Sequence, residues 1–144
     1  MTTSSIQVPR PEPRIGVSCS VQWLSLAGRL ALAPIFILSG LSKVAAPEAS
    51  IAYIEAVGLP FVQLALAIAI LVEIVGGVFL VVGYRTRLAA AALALFSIAT
   101  AIFFHADIGD QNQFIHFFKN IAIAGGLAQL VAHGAGALAL DARR

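Results

Sequence analysis

Charge is what this sequence has least of. Of its 144 residues only 11% are Asp, Glu, Lys or Arg, against 60% apolar, whereas a soluble domain carries about a quarter charged and roughly 45 to 50% apolar residues. So few charges cannot cover a water-facing surface, which excludes a soluble globular fold and a large water-exposed active site. The same balance excludes disorder. Cys19 is the single cysteine, so there is no intramolecular disulfide, no iron–sulfur ligand set and no CxxC redox pair. The apolar stretches show no two-residue alternation, which excludes a β-barrel. There is no short-period repeat, Gly-rich phosphate loop, nucleophile elbow or haem-attachment motif. The net charge of +2 would hint at nucleic acid in a soluble protein, but in a membrane chain scattered cations set orientation, and no nucleic-acid partner is expected.

What the sequence does have is long apolar runs. A helix rising 1.5 Å per residue needs roughly 17 to 25 apolar residues to cross a bilayer core, and four runs qualify: Trp23 to Lys43, Phe61 to Tyr84, Leu88 to Phe104, and Phe114 to about Leu140. The expected fold is an all-α bundle of four transmembrane helices over residues 23–141, its partner the lipid bilayer. Arg29 inside the first run costs about 2.5 to 3.5 kcal/mol, roughly what the Leu, Ile and Phe residues between Leu24 and Leu41 return at about 0.3 to 0.6 each. That run therefore leans on neighbouring helices, and Arg29 faces them. A charge within the stretch and a 22-residue tail ahead of it argue against a cleaved signal peptide. The tail, residues 1–22, carries Pro9, Pro11 and Pro13 and is expected to be disordered. Arg10, Arg14, Arg85, Arg87, Arg143 and Arg144 lie at one set of span ends and Lys43 at the other, so both termini are expected in the cytoplasm. Between spans one and two, Pro47 suits a first helical turn, Ile51, Ile54 and Val57 recur at helical spacing, and Gly58 can end the helix. These residues read as a short helix on the outer interface or as an ordinary loop.

Ionisable groups in hydrocarbon are functional candidates by default. Here they are Arg29, Glu73 and Lys119. With span centres aligned, Arg29 lies roughly 5 Å to one side of Glu73 and Lys119 roughly 8 Å to the other, so all three are expected in one interior. Gly76 and Gly77 flank Glu73 on its own face, His116, Lys119 and Asn120 share a face, and so do Ser25 and Arg29. The expected polar site is Arg29, Glu73, Lys119 and Asn120, lined by spans one, two and four, with span three behind. The glycine pairs of spans two and four (Gly76 and Gly77, Gly125 and Gly126) hint at a duplicated hairpin. Two cations against one carboxylate leave a surplus positive site suited to an anion or a quinone oxygen. Alternatively, an Arg29–Glu73 pair serves only to fix helix register. His105 and His116 mark the outer mouth. With Asp107 and Asp110 they could hold a divalent ion, but their spacing matches no metal motif, and the expectation is helix caps and interfacial histidines without metal.

Four ordered segments resemble the DoxX family: "RLALAPIFILSGLSK" at Arg29–Lys43, "EIVGG" at Glu73–Gly77, "GYRTRLAA" at Gly83–Ala90 and "FHADIGDQNQFIHFFKNIAIAGGL" at Phe104–Leu127. The likeness covers about residues 24 to 141, with Arg29, Lys43, Glu73, Gly77, Arg87, His105, Lys119 and Asn120 at pattern positions. The family's closing Ser-Leu-Asp is Ala139, Leu140 and Asp141 here, so any role of that serine is lost. The resemblance implies a small four-helix protein of a bacterial or archaeal plasma membrane in a redox context, since the family takes its name from a component linked to a quinol oxidase and to thiosulfate:quinone oxidoreduction. It does not imply a turnover. Three functions stay open: an accessory, non-catalytic or quinone-interacting component of a membrane redox system with a redox protein partner, a small-solute transporter or channel built as a homo-oligomer, and an anchor for a soluble partner. No covalently bound cofactor is expected, and quinone is the expected ligand.

Overall fold

The computed structural model describes residues 19–143, and residues 1–18 of the expected tail lie outside it. Helix α1 spans Cys19–Ala45, α2 Pro47–Ala56, α3 Val62–Val82, α4 Thr86–Phe104 and α5 Gln111–His133, and a single 3-10 turn at Leu140–Arg143 ends the described chain. The described residues contain no strand. Helices α1, α3, α4 and α5 are each long and apolar enough to cross a membrane. Only 17 to 33% of the most apolar stretch of each is buried inside the protein. Leu24, Phe61, Leu88 and Leu95 point outward, and in water such a surface would be an enormous apolar patch, so hydrocarbon is the solvent these faces are built for.

The loop between the first two spans is a helix. Pro47 occupies its first turn and Ile54 is its buried residue, as the spacing implies, and Gly58 follows with φ +72°. Residues 19 to 22 of the expected tail form the opening turn of α1. The last span is shorter than its apolar run suggests. It stops at His133 because Gly134 and Gly136 both take positive φ, 79° and 77°, a geometry that lets the chain double back. Residues 135 to 143 then fold across the end of the bundle, burying Ala135 and Ala139.

Two antiparallel hairpins make the bundle. Helix α1 packs chiefly on α3 and α4 chiefly on α5, while α3 meets α4 more sparingly. Glycine sets the close approaches. A Cβ at Gly77 would lie 2.6 Å from Ile37 Cγ1 of α1, and one at Gly76 2.9 Å from Leu93 Cγ of α4, so the pair beside Glu73 admits a neighbour on each side. The second pair has a different use: Gly125 faces open space and Gly126 meets only Leu32, at 3.8 Å. Gly83 ends α3 at φ +67°, where a Cβ would sit 2.5 Å from Ala139 Cβ and 2.7 Å from Arg29 Nη1. Gly83→Ala should therefore cost about 2 kcal/mol or more, from left-handed backbone strain and overpacking together. Gly125→Ala should be neutral. Thermal unfolding of both variants in one detergent checks this, and equal midpoints would contradict it.

Candidate functional site

The polar residues sort into two groups at opposite ends of the bundle. At the end where α1 begins, Arg29 is fully buried. Its Nη1 donates to the carbonyl oxygens of Leu80, at 2.8 Å, and Val81, at 3.1 Å, and its Nη2 to Leu138 O. Leu80 and Val81 belong to the last turn of α3, whose carbonyls lack helical partners and form the negative end of its dipole. Arg29 is therefore a helix C-cap supplied by another helix, and it ties down the returning 135–143 segment as well. Asp141 of that segment accepts from the backbone N–H of Arg85 at 2.7 Å and of Thr86 at 2.8 Å, capping α4. Ser25 Oγ donates to Ala135 O at 2.9 Å. These bonds close one end of the bundle.

Glu73 is elsewhere. Seven residues before Leu80 on α3, it lies about 10 Å further along the axis, and it pairs with Lys43 instead of Arg29. Lys43 Nζ donates to Glu73 Oε2 at 2.9 Å and Oε1 at 3.0 Å, and to Ser39 Oγ at 2.8 Å, while Ser39 Oγ donates to Oε1 at 3.0 Å. The carboxylate is nearly sealed, its side chain 6% exposed against 24% for Lys43. This is the one salt bridge between described residues. The expected Arg29–Glu73 pair is replaced because α1 is shifted along α3: Gly40 packs at Ile74 and Glu73 Cβ, and Ala33 and Ile37 at Gly77. Lys43, read from sequence as a span-end charge, is a site residue that the depth argument missed.

Beside this pair a cavity of about 540 Å³ extends to α2, and Glu73, Lys119, Asn120, His105 and His116 all line it, with Lys43, Ser39, Ser97 and Thr100. Arg29 alone of the expected residues does not. Helix α4 also departs from expectation, since Phe96, Ser97, Thr100 and Phe104 form one wall. At the rim Lys119 Nζ donates to His116 Nδ1 at 2.6 Å, and His105 Nδ1 bonds Gln113 Oε1 at 2.7 Å. The two imidazoles stack at 5.0 Å between centroids. Helix α2 crosses this end, with Tyr53 OH donating to Phe104 O at 3.3 Å and the two rings 5.1 Å apart. Asp110 accepts from Gln113 N–H at 2.9 Å and caps α5, and Asp107 accepts from Gly109 N–H at 3.2 Å. Both aspartates thus serve their own loop. Among the described residues no three His, Cys, Asp or Glu side chains group as a metal site would need.

The Lys43–Glu73 pair is neutral as a unit, so Lys119 is the remaining formal cation on the cavity wall, beside a neutral hydrogen-bonding Asn120. An apolar chamber of this volume with a few convergent donors has the composition of a small-molecule site.

Comparison with known proteins agrees with this architecture. The family model described as DoxX matches residues 24–106. The chain is 32% identical over 126 residues to the inner membrane protein YphA of Escherichia coli, covering 83% of this chain and 89% of that one. It is 34% identical over 116 residues to the inner membrane protein YqjF of the same organism, covering 81% and 88%. No solved structure matches it.

Proposed function

The chain belongs to the DoxX family and is an integral inner-membrane protein, and from that premise we propose that it binds a quinone in the α2-end cavity, as an accessory component of a membrane redox system. One observation carries the reading: Lys119, the cation on the wall outside the Lys43–Glu73 pair, and the amide Asn120 stand side by side on a largely apolar chamber of about 540 Å³. A quinone offers carbonyl oxygens that accept from such donors and a flat apolar ring that suits the aromatic wall of Tyr53, Phe96 and Phe104. The Lys43–Glu73 pair stands on the same wall. A quinone would supply two-electron carriage within the bilayer. The protein's residues would bind and orient the ring and keep water from it, leaving electron transfer to a partner protein.

Lipid extraction and mass spectrometry of protein purified in mild detergent test this. Quinone should accompany the wild type and fall about tenfold in Lys119→Met, the equivalent of one charge-assisted hydrogen bond. Lys119 is exposed, so that variant should fold. Equal recovery from both proteins, or none from either, would overturn the reading.

A further inference from the structure

The cavity owes its existence to the way the two hairpins meet. They are joined at the Arg29 end, where Arg29 and Ser25 of α1 bond the 135–143 segment, Leu32 reaches Gly126, and Asp141 caps α4. Helices α1 and α5 are not among the extensively packed pairs. The contacts just named on α1 all lie at Leu32 or before it. Beyond that level α1 (Ile35, Ser39) and α5 (Lys119, Asn120) face each other across the cavity, and α3 and α4 likewise contribute Ile68 and Phe103 to its wall. Ile35, Ile68 and Phe103 are 42, 50 and 54% exposed. They line the chamber and face outward at once, on the apolar outer surface of the bundle. The water-facing end differs, for α2 lies across it, with Ile54 buried and Tyr53 bonded to Phe104 O.

We infer that the chamber is loaded sideways from the bilayer, through the clefts between the hairpins, and that its ligand is a chain-bearing amphiphile whose acceptor head meets Lys119 and Asn120 while its apolar chain leaves past Ile35, Ile68 or Phe103. The inference rests on the cavity being a ligand site, as proposed above, and adds the ligand class and the route. A chain left in hydrocarbon forfeits no burial, and a lipid-dissolved ligand never crosses the α2 roof. Nothing in the route requires an aqueous pore, so a small water-borne solute is the wrong ligand for this geometry.

A decylbenzoquinone with a diazirine at its chain end, photolysed with the full chain in lipid nanodiscs and mapped by peptide mass spectrometry, tests this. Adducts should fall at Ile35, Ile68 or Phe103. They should drop about tenfold in Lys119→Met, as loss of the head-group bond implies, and drop comparably in whichever of Ile35→Trp, Ile68→Trp or Phe103→Trp obstructs the cleft in use. Adducts confined to Ser50 and Tyr53 of α2 and to Leu59 just after it, still lost in Lys119→Met, would overturn the lateral route while leaving the binding site. Adducts only at outward residues such as Leu24 and Leu95, the same in every variant, would overturn both. The tryptophans are placed at outward-facing positions, and unchanged elution of each variant on size exclusion verifies that it folds.

Discussion

Lys43→Met should lower the stability of the protein by about 3 kcal/mol or more, the usual cost of stripping one partner from a buried ion pair. The single change leaves the Glu73 carboxylate 6% exposed with Ser39 as its remaining donor, between Gly40 of its partner helix and the chamber wall. Glu73→Gln should cost less than Lys43→Met. An amide keeps an acceptor for Ser39 and Lys43, and Lys43 at 24% exposure can turn its ammonium toward the rim. The decisive measurement is the double variant. With both charges gone no uncompensated charge remains, so Lys43→Met with Glu73→Gln should lose less than the sum of the single losses by about 1 to 3 kcal/mol. Unfolding of the four proteins in mixed detergent micelles with rising SDS gives the cycle. Additive losses would mean that the residues act independently and that the short contacts between them contribute nothing to the fold.

This pair also shows where sequence reasoning stops. Four spans, their order and the short helix after Pro47 were legible because each rests on local properties: apolar length, a proline compatible with a first turn and a glycine past the end. Glu73, Lys119, Asn120, His105 and His116 line one cavity, and within each helix the facing that brings them there follows from spacing of three and four residues. Arg29 was misplaced because depth was inferred by aligning span centres. The observed contacts set Ala33 and Ile37 against Gly77 and Gly40 against Ile74, a relative shift of roughly 10 Å at 1.5 Å per residue. That shift carries Arg29 to the end of α3 and brings Lys43 to Glu73. Axial register between helices is a tertiary property, fixed here by which small residues admit which side chains, and no periodicity within one helix reports it. Helix α1 runs to 27 residues, beyond the Trp23 to Lys43 run read from hydropathy, and a helix longer than the bilayer requires has no reason to be centred in it. The overlong fourth run had a similar local clue in Gly134 and Gly136, which end α5 where hydropathy continues.

The largest effect at the other end of the bundle should come from Arg29. Arg29→Met removes the donors to Leu80 O, Val81 O and Leu138 O together, leaving carbonyls without partners in a site closed to water, where each costs about 1 to 3 kcal/mol. A loss of about 3 kcal/mol or more is expected in the same SDS titration. Arg29→Lys should recover only part of it. A compact ammonium has no planar fork to reach the end of α3 and the returning segment simultaneously, although Lys and Arg carry the same charge. Removing residues 135–144 takes away Leu138 O and the Asp141 cap on α4, so truncation combined with Arg29→Met should lose less than the two losses added, because both act through one junction. Ligand recovery separates this junction from the chamber. In protein that still elutes as a folded species, quinone bound per chain should survive Arg29→Met and fall in Lys119→Met. If Arg29→Met instead abolished binding while leaving the unfolding midpoint unchanged, Arg29 would have to be placed in the ligand site, and the division of the bundle into a closed structural end and an open binding end would fail.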